Sequence, residues 1–190
     1  MALTALLVTN PGMAETVNFD SDAIGSSPAG WTCRVTGSGS ARWAVTADPS
    51  APSKSNVLMQ TGRGAFPWCV NKFKAICGRE DQAGGVVWRW KNGDSYYVAR
   101  ANALENNVSL HYTEGGSRKT LKYVDAPVAL GAWHTLRVDF AGSRVAVSLN
   151  GKRYIEVDDK RITGPGAVRV WTKADSVTAF DDFTFSAALP

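Results

Sequence analysis

The chain has 190 residues, 44% of them hydrophobic, enough to fill one sizeable core, so a single domain is expected. Its formal charge of +4 arises from 21 Lys and Arg scattered among 17 Asp and Glu. There is no block of one sign, no basic stripe and no recognition motif, so a nucleic-acid partner is not expected. No run approaches the roughly 20 apolar residues of a membrane-spanning helix.

Residues 1–14, MALTALLVTNPGMA, set a short apolar segment ahead of small residues and Glu15, like the end of a secretory signal with a Met-Ala cleavage site. The basic leader is missing, since the first cationic residue is Arg34. The expectation is a signal remnant or disordered N-terminus at 1–14 and one exported domain at 15–190.

Val17-Asn18-Phe19-Asp20 predicts a first strand and residues 25–30 a loop. Short strands are expected at 31–35 and 42–46, around a turn at Gly37-Ser38-Gly39-Ser40. Another loop, with Pro49 and Pro52, precedes a strand at 56–60. No amphipathic helix is visible, and strands separated by turns at this density indicate a β-sandwich or barrel.

The segment 80–102, EDQAGGVVWRWKNGDSYYVARAN, reads as a central β-hairpin turning at Asn92-Gly93. A two-residue loop there pairs Arg89 with Tyr96, Val87 with Val98 and Gly85 with Arg100. One face then carries Gly85, Val87, Arg89, Tyr96, Val98, Arg100 and Asn102. The other carries Val86, Trp88, Trp90, Tyr97, Ala99 and Ala101 and is the expected core face. A three-residue loop would invert one strand and exchange the partners.

Beyond the hairpin, Val108, Leu110 and Tyr112 alternate with polar residues, and Gly115-Gly116 turns the chain into a strand at 119–124. Leu136, Val138 and Phe140 alternate with Thr135, Arg137 and Asp139, the pattern of a half-buried antiparallel strand. Asn150-Gly151 marks a second hairpin turn. Val168 and Val170 alternate with Arg169, Trp171 and Lys173, so the side bearing Trp171 is expected to join the Arg100 face; FDDFTF at 180–185 closes the fold.

Three cysteines, Cys33, Cys69 and Cys77, fit neither a disulfide framework nor a zinc site. Either all three are small buried thiols, the favoured reading, or one bridge forms, with Cys69 and Cys77 the better-spaced pair. The paired-carboxylate strand of retaining glucanases is absent, because Glu156-Val157-Asp158-Asp159-Lys160 stops one acid short. No nucleophile elbow, P-loop or H-E-x-x-H occurs. His111 and His134 lie on separate strands and read as surface or packing residues.

The strings EDQAGGVVWR, YYVARANALENNV, AWHTLRVDF, SLNGKRY and VWTKADSVTAFDDF, taken in order, resemble the bacterial family of concanavalin A-like jelly-roll domains named for 3-keto-disaccharide hydrolase activity. The resemblance covers about 17–185. It implies an all-β jelly-roll sandwich of two curved antiparallel sheets, a concave face for a carbohydrate or glycoside, and a secreted or periplasmic setting. It also implies chemistry in which a ketone at the sugar's 3-position acidifies a neighbouring C–H and permits elimination of the aglycone. Between Cys69 and Phe73 the chain is shorter than the family pattern, which predicts a lost or spliced strand.

On that reading Arg89, Tyr96, Arg100, Asn102, Trp171 and Lys173 bind substrate. Arg100 and Asn102 can hold sugar hydroxyls or polarise a ketone through charge-assisted hydrogen bonds, and Trp171 can stack on a pyranose. Glu80 or Asp175 moves the proton; Glu80 and Asp81 precede the hairpin strand and can reach its polar face, with a solvated loop as the default reading. The alternative is a non-catalytic glycan-binding or adhesion module. No cofactor is expected beyond a structural calcium, for which Asp20, Asp181 and Asp182 are the candidate ligands although they supply few of the oxygens it wants.

Overall fold

The computed structural model describes residues 15–28, 31, 33–53, 55–68 and 72–185, and all its regular elements there are strands. In chain order they are β1 Glu15–Val17, β2 Arg34–Ser40, β3 Trp43–Ala47, β4 Asn56–Gln60, β5 Arg63–Trp68 and β6 Lys72–Cys77. The central hairpin follows as β7 Ala83–Asn92 and β8 Ser95–Asn102, then β9 Asn107–Glu114, β10 Ser117–Asp125 and β11 Leu136–Ala141. The chain finishes with β12 Arg144–Leu149, β13 Lys152–Asp158, β14 Ala167–Trp171, β15 Val177–Asp181 and β16 Phe183–Phe185.

A seven-stranded antiparallel sheet runs β10-β9-β8-β7-β14-β5-β2. Against it lie a four-stranded sheet, β3-β4-β15-β6, and a separate three-stranded sheet, β11-β12-β13, while β1 and β16 form a short ribbon. Period-two alternation builds the core between the layers. From the large sheet come Val86, Trp88, Tyr97, Ala99, Ala101, Val108 and Leu110, and from the opposing strands Val45, Leu58, Phe180, Val145, Val147 and Ile155. Each fully buried aliphatic or aromatic side chain contributes about 1.5–3 kcal/mol of transfer free energy, which is why these strands hold their faces. The expected all-β sandwich is thus present.

Several local expectations are corrected. Gly37-Ser38-Gly39-Ser40 is not a turn but the second half of β2, with a register shift between Thr36 and Gly39 and Gly39 at φ 102°. β2 and β3 belong to different sheets, so Ala41 and Arg42 carry the chain across the sandwich rather than around a hairpin. The first strand ends at Val17, and Phe19, at φ 60°, turns into the core instead of continuing it. On either side of residue 69 two further strands form, β5 and β6, in different sheets; residues 69–71, where a lost or spliced strand is expected, lie outside the described residues. Cys33 is disulfide-bonded and Cys77 is a free, exposed thiol, which excludes both the Cys69–Cys77 pair and three buried thiols.

The central hairpin pairs Gly85 with Arg100, Val87 with Val98 and Trp88 with Tyr97, as expected, but then departs. Asn92 pairs with Ser95, so three residues of β7, Arg89 to Lys91, oppose only Tyr96. This bulge, with Arg89 at φ 48°, exchanges two side chains between the faces. Trp90 packs with Val87, Tyr96 and Val98, while Arg89 leaves that face and donates from Nη1 to the Ile162 carbonyl (2.9 Å) and from Nη2 to that of Gly142 (2.5 Å). Arg89 therefore does not stand beside Arg100.

The acids weighed as calcium ligands serve the loops. Asp181 accepts from the Ser53 amide (2.8 Å) and hydroxyl (2.7 Å), and Asp20 from the Asn56 amide (3.3 Å). Among the described residues no three His, Cys, Asp or Glu side chains gather where one ion could be held.

Candidate functional site

The face of the large sheet turned away from the core carries Asn102, Arg100, Val98 and Tyr96 from β8, Asn107, Ser109, His111 and Thr113 from β9, and Trp171 from β14. Trp171 is brought against the hairpin by glycine. A Cβ at Gly85 would stand 2.7 Å from the Ala99 carbonyl and 3.2 Å from Trp171 Cε3, so any other residue would push the indole off the sheet.

At the centre stands Asp81, fully buried just ahead of β7. Arg100 Nη1 lies 3.4 Å from its Oδ2, Asn102 Nδ2 donates to its Oδ1 at 2.8 Å, and the Lys173 ammonium pairs with it directly. Arg100 also donates from Nη2 to Glu105 Oε2 (2.7 Å) and from Nε to the Ser109 hydroxyl (3.0 Å). That hydroxyl is 2.8 Å from His111 Nε2, and His111 Nδ1 is 3.0 Å from the Thr120 hydroxyl. Since Ser109 accepts from Arg100, its own proton is available to a neutral imidazole, whose Nδ1–H then donates to Thr120.

The network reaches solvent at one end. Glu105 accepts from Tyr123 Oη (2.6 Å) and Asn107 Nδ2 (2.9 Å), with Lys173 Nζ 3.9 Å from its other oxygen. Glu105 is 32% exposed, Lys173 26% and Tyr123 47%, whereas Arg100 is 3% and Asp81 fully buried. A carboxylate, an ammonium and a phenol thus form a mouth over a buried, hydrogen-bonded floor.

Electrostatics follow from this arrangement. Partial burial pulls the Glu105 carboxyl upward, but hydrogen bonds from Tyr123 and Asn107 and the charges of Arg100 and Lys173 outweigh it and hold the group at about 2. Burial, reinforced by Arg118, Arg100 and Lys173, lowers His111 to about 3, so it is neutral throughout the physiological range. Both are weak bases.

Of the residues expected to bind substrate, the fold gathers Tyr96, Arg100, Asn102, Trp171 and Lys173 on this face and sends Arg89 to the opposite one. Trp171 is fully buried, with the Arg118 guanidinium 5.3 Å over its ring, and presents no open face for a pyranose. The more exposed indole is Trp90, covered by the Arg169 guanidinium at 4.0 Å. The Tyr96 hydroxyl and the Thr113 hydroxyl of its cross-strand partner are buried without a hydrogen-bond partner.

The two residues expected to move protons meet at the loop ahead of β7. Asp175 caps a loop, accepting from the backbone amides of Arg79 (2.9 Å), Glu80 (3.0 Å) and Asp81 (3.2 Å). Against the upward pull of burial, these amides lower its carboxyl below the usual carboxylate range. The Glu80 side chain is exposed at the outside of that loop. The loop inverts their roles: Asp81, not Glu80, turns inward. Sequence reasoning missed Glu105, Ser109, His111 and Tyr123 as members of the network. His111 alone carried a signal, standing in β9 at the alternation phase of Ser109, opposite Val98.

No protein-family model and no curated protein matches the chain. Among solved structures it is similar to the carbohydrate-binding module CBM66 from Bacillus subtilis, at 15% identity and a TM-score of 0.59 over 80% of this chain and 96% of that one. It is also similar to the β-glucanase of Bacillus licheniformis, at 11% identity and a TM-score of 0.54 over 95% of this chain and all of the other. At these identities the likeness is one of fold, and with the sheet topology it makes this chain a concanavalin A-like jelly roll.

Proposed function

We propose that the chain is a carbohydrate-binding domain that takes a glycan at the Glu105–Lys173–Tyr123 mouth of the large sheet. The observation that carries this reading is the network itself. Donors and acceptors are held in fixed geometry by a buried ion pair, so few side chains need ordering when sugar hydroxyls arrive. Hydrogen bonds to charged groups contribute about 1.5–3 kcal/mol each, which suits a charged rim to neutral hydroxyls. The disulfide at Cys33 fits an exported setting, as does the N-terminal apolar segment. The carbohydrate-binding module sharing the fold supports the same reading.

The motif resemblance carries a second reading, elimination from 3-keto-glycosides, with Arg100 and Lys173 polarising the ketone. Such a reaction needs a base for the C–H beside the carbonyl. Glu105 and His111, at about 2 and about 3, are too weak for it, so binding is preferred.

Calorimetric titration against oligosaccharides spanning glucans, galactans and fructans, and against 3-keto-disaccharides with their parents, separates the two. Binding of at least one oligosaccharide without product, weakened tenfold or more in Glu105→Gln, is the expected result. Absence of binding across the panel, or an unchanged affinity in Glu105→Gln, would refute the site. Aglycone released only from keto sugars would replace binding by catalysis.

A further inference from the structure

On the opposite side of the large sheet the sandwich is not closed. Among the described residues the three-stranded sheet does not pair with the four-stranded one, and β11 is one of its two edges. Between β11–β12, β7–β14 and β16 a groove of about 1180 Å³ opens, somewhat larger than the usual small-molecule site of roughly 300–1,000 Å³. Its walls include Val86, Trp88, Val138, Phe140, Val168 and Phe185. Phe140 stacks on Trp88 at 6.0 Å yet remains 42% exposed, and Phe185 is 38% exposed.

Arg89 lines this apolar groove and is only 9% exposed. Its contacts are the carbonyls of Ile162 and Gly142 and the ring of Phe140, 5.6 Å from its guanidinium carbon. Dipoles and a ring quadrupole solvate the ion in part, but among the described residues no carboxylate forms an ion pair with it. Asp159, beyond Ile162, is engaged by Arg161 and by Tyr97, and Asp139 on the groove wall is bound by Arg137 at 2.6 Å. Burying a cation without a counter-charge is costly, and here a bulge at φ 48° exists to bring it to this side. A simple latch between loops would need neither the positive charge nor the adjoining apolar space.

We infer that this groove binds an amphipathic anion, an aliphatic or aromatic body seated among Trp88, Phe140 and Phe185 with its carboxylate on Arg89. The inference is independent of the glycan site, which lies on the other face of the sheet.

The test is titration of the whole protein with dodecanoate and, in parallel, with uncharged dodecanol below their micellar concentrations. Dodecanoate is expected to bind at least tenfold more tightly than dodecanol. Arg89→Met should erase that preference while dodecanol still binds, and Arg89→Lys should keep part of it. Phe185→Glu, at a rim position 38% exposed, should weaken dodecanoate tenfold or more and so serves if Arg89→Met does not fold. Equal affinity for acid and alcohol, no binding of dodecanoate, or binding indifferent to Arg89→Met and Phe185→Glu would overturn the inference.

Discussion

Arg89 and Arg100 lie on the two strands of one hairpin, both nearly buried, yet they point to opposite faces and live in opposite company. Arg100 is enclosed by Asp81, Glu105 and Ser109; Arg89 by two carbonyls and a phenyl ring. The first is a member of a charge-balanced network whose members position one another. Among the described residues the second has no ionic partner and is held by dipoles. A buried charge is therefore legible as structure or as a ligand-directed group only from its partners, not from its burial.

Substitution sharpens the contrast. Arg100→Ala strips a charge from a buried pair and leaves Asp81 short of a partner, so it should cost about 3–5 kcal/mol. For a chain of this length that is about 6–20 °C in the thermal midpoint. A scan showing no shift would mean the Asp81 cluster is not closed as described. Arg100→Ala thus cannot serve as a clean test of glycan contact, which is why Glu105→Gln is used instead.

Acid should act on the Arg100 side through His111 and Glu105. His111 has its folded value lowered from 6.5 to about 3, so the unfolded chain binds the proton first. The stability it contributes is complete above about pH 6.5 and is lost as pH falls toward 3, at about 1.4 kcal/mol per pH unit. Glu105, lowered from 4.5 to about 2, adds a further loss that begins only below about pH 4.5. Denaturant unfolding between pH 7 and 5 should show the first slope in the wild type and a flatter one in His111→Gln. Equal slopes would mean the imidazole is already charged in the fold.

Arg89→Met removes no carboxylate's partner, so its expected cost is smaller, about 1–3 kcal/mol for the two carbonyls left unsatisfied. If denaturation shows it to cost as much as Arg100→Ala, Arg89 has an ionic partner after all. At the bottom of the scale, Glu80→Gln should change stability by less than about 0.5 kcal/mol, as exposed substitutions do, and leave glycan affinity unaltered. A measurable loss in binding would return Glu80 to the site.

Much of this molecule is legible in its sequence because alternation is a local property. Val86–Trp88 and Tyr97–Ala101 announce their faces, and Asn150-Gly151, at φ 51° and 82°, announces its turn. The bulge does not announce itself. Nothing in Trp88-Arg89-Trp90 says that a residue will adopt positive φ and exchange the faces of its neighbours, because that depends on how the strand meets Gly166, which packs against the Arg89 and Trp90 backbone. The corner at Ala41-Arg42 was hidden for a similar reason: Gly37-Ser38-Gly39-Ser40 has turn chemistry, but pairing with β5 overrides it. β5 carries Pro67, a residue that argues against a paired strand, so its composition conceals it. The choice of Asp81 over Glu80 was illegible because the loop that decides it is set by Asp175, far along the chain.

That last dependence reaches into how the protein comes to be. Asp175 fixes the amides of residues 79–81, and Lys173 supplies the cation that Asp81 needs, so the hairpin formed by β7 and β8 carries an incomplete polar network, and with it an incomplete form of the proposed site, until β14 docks beside it. Contacts of such sequence separation close slowly, since chain entropy must be lost before they reward it. Ligand competence is thus a late event in folding, coupled to the arrival of the C-terminal strands, and a refolding chain should recover its β-sheet signal before it recovers any affinity.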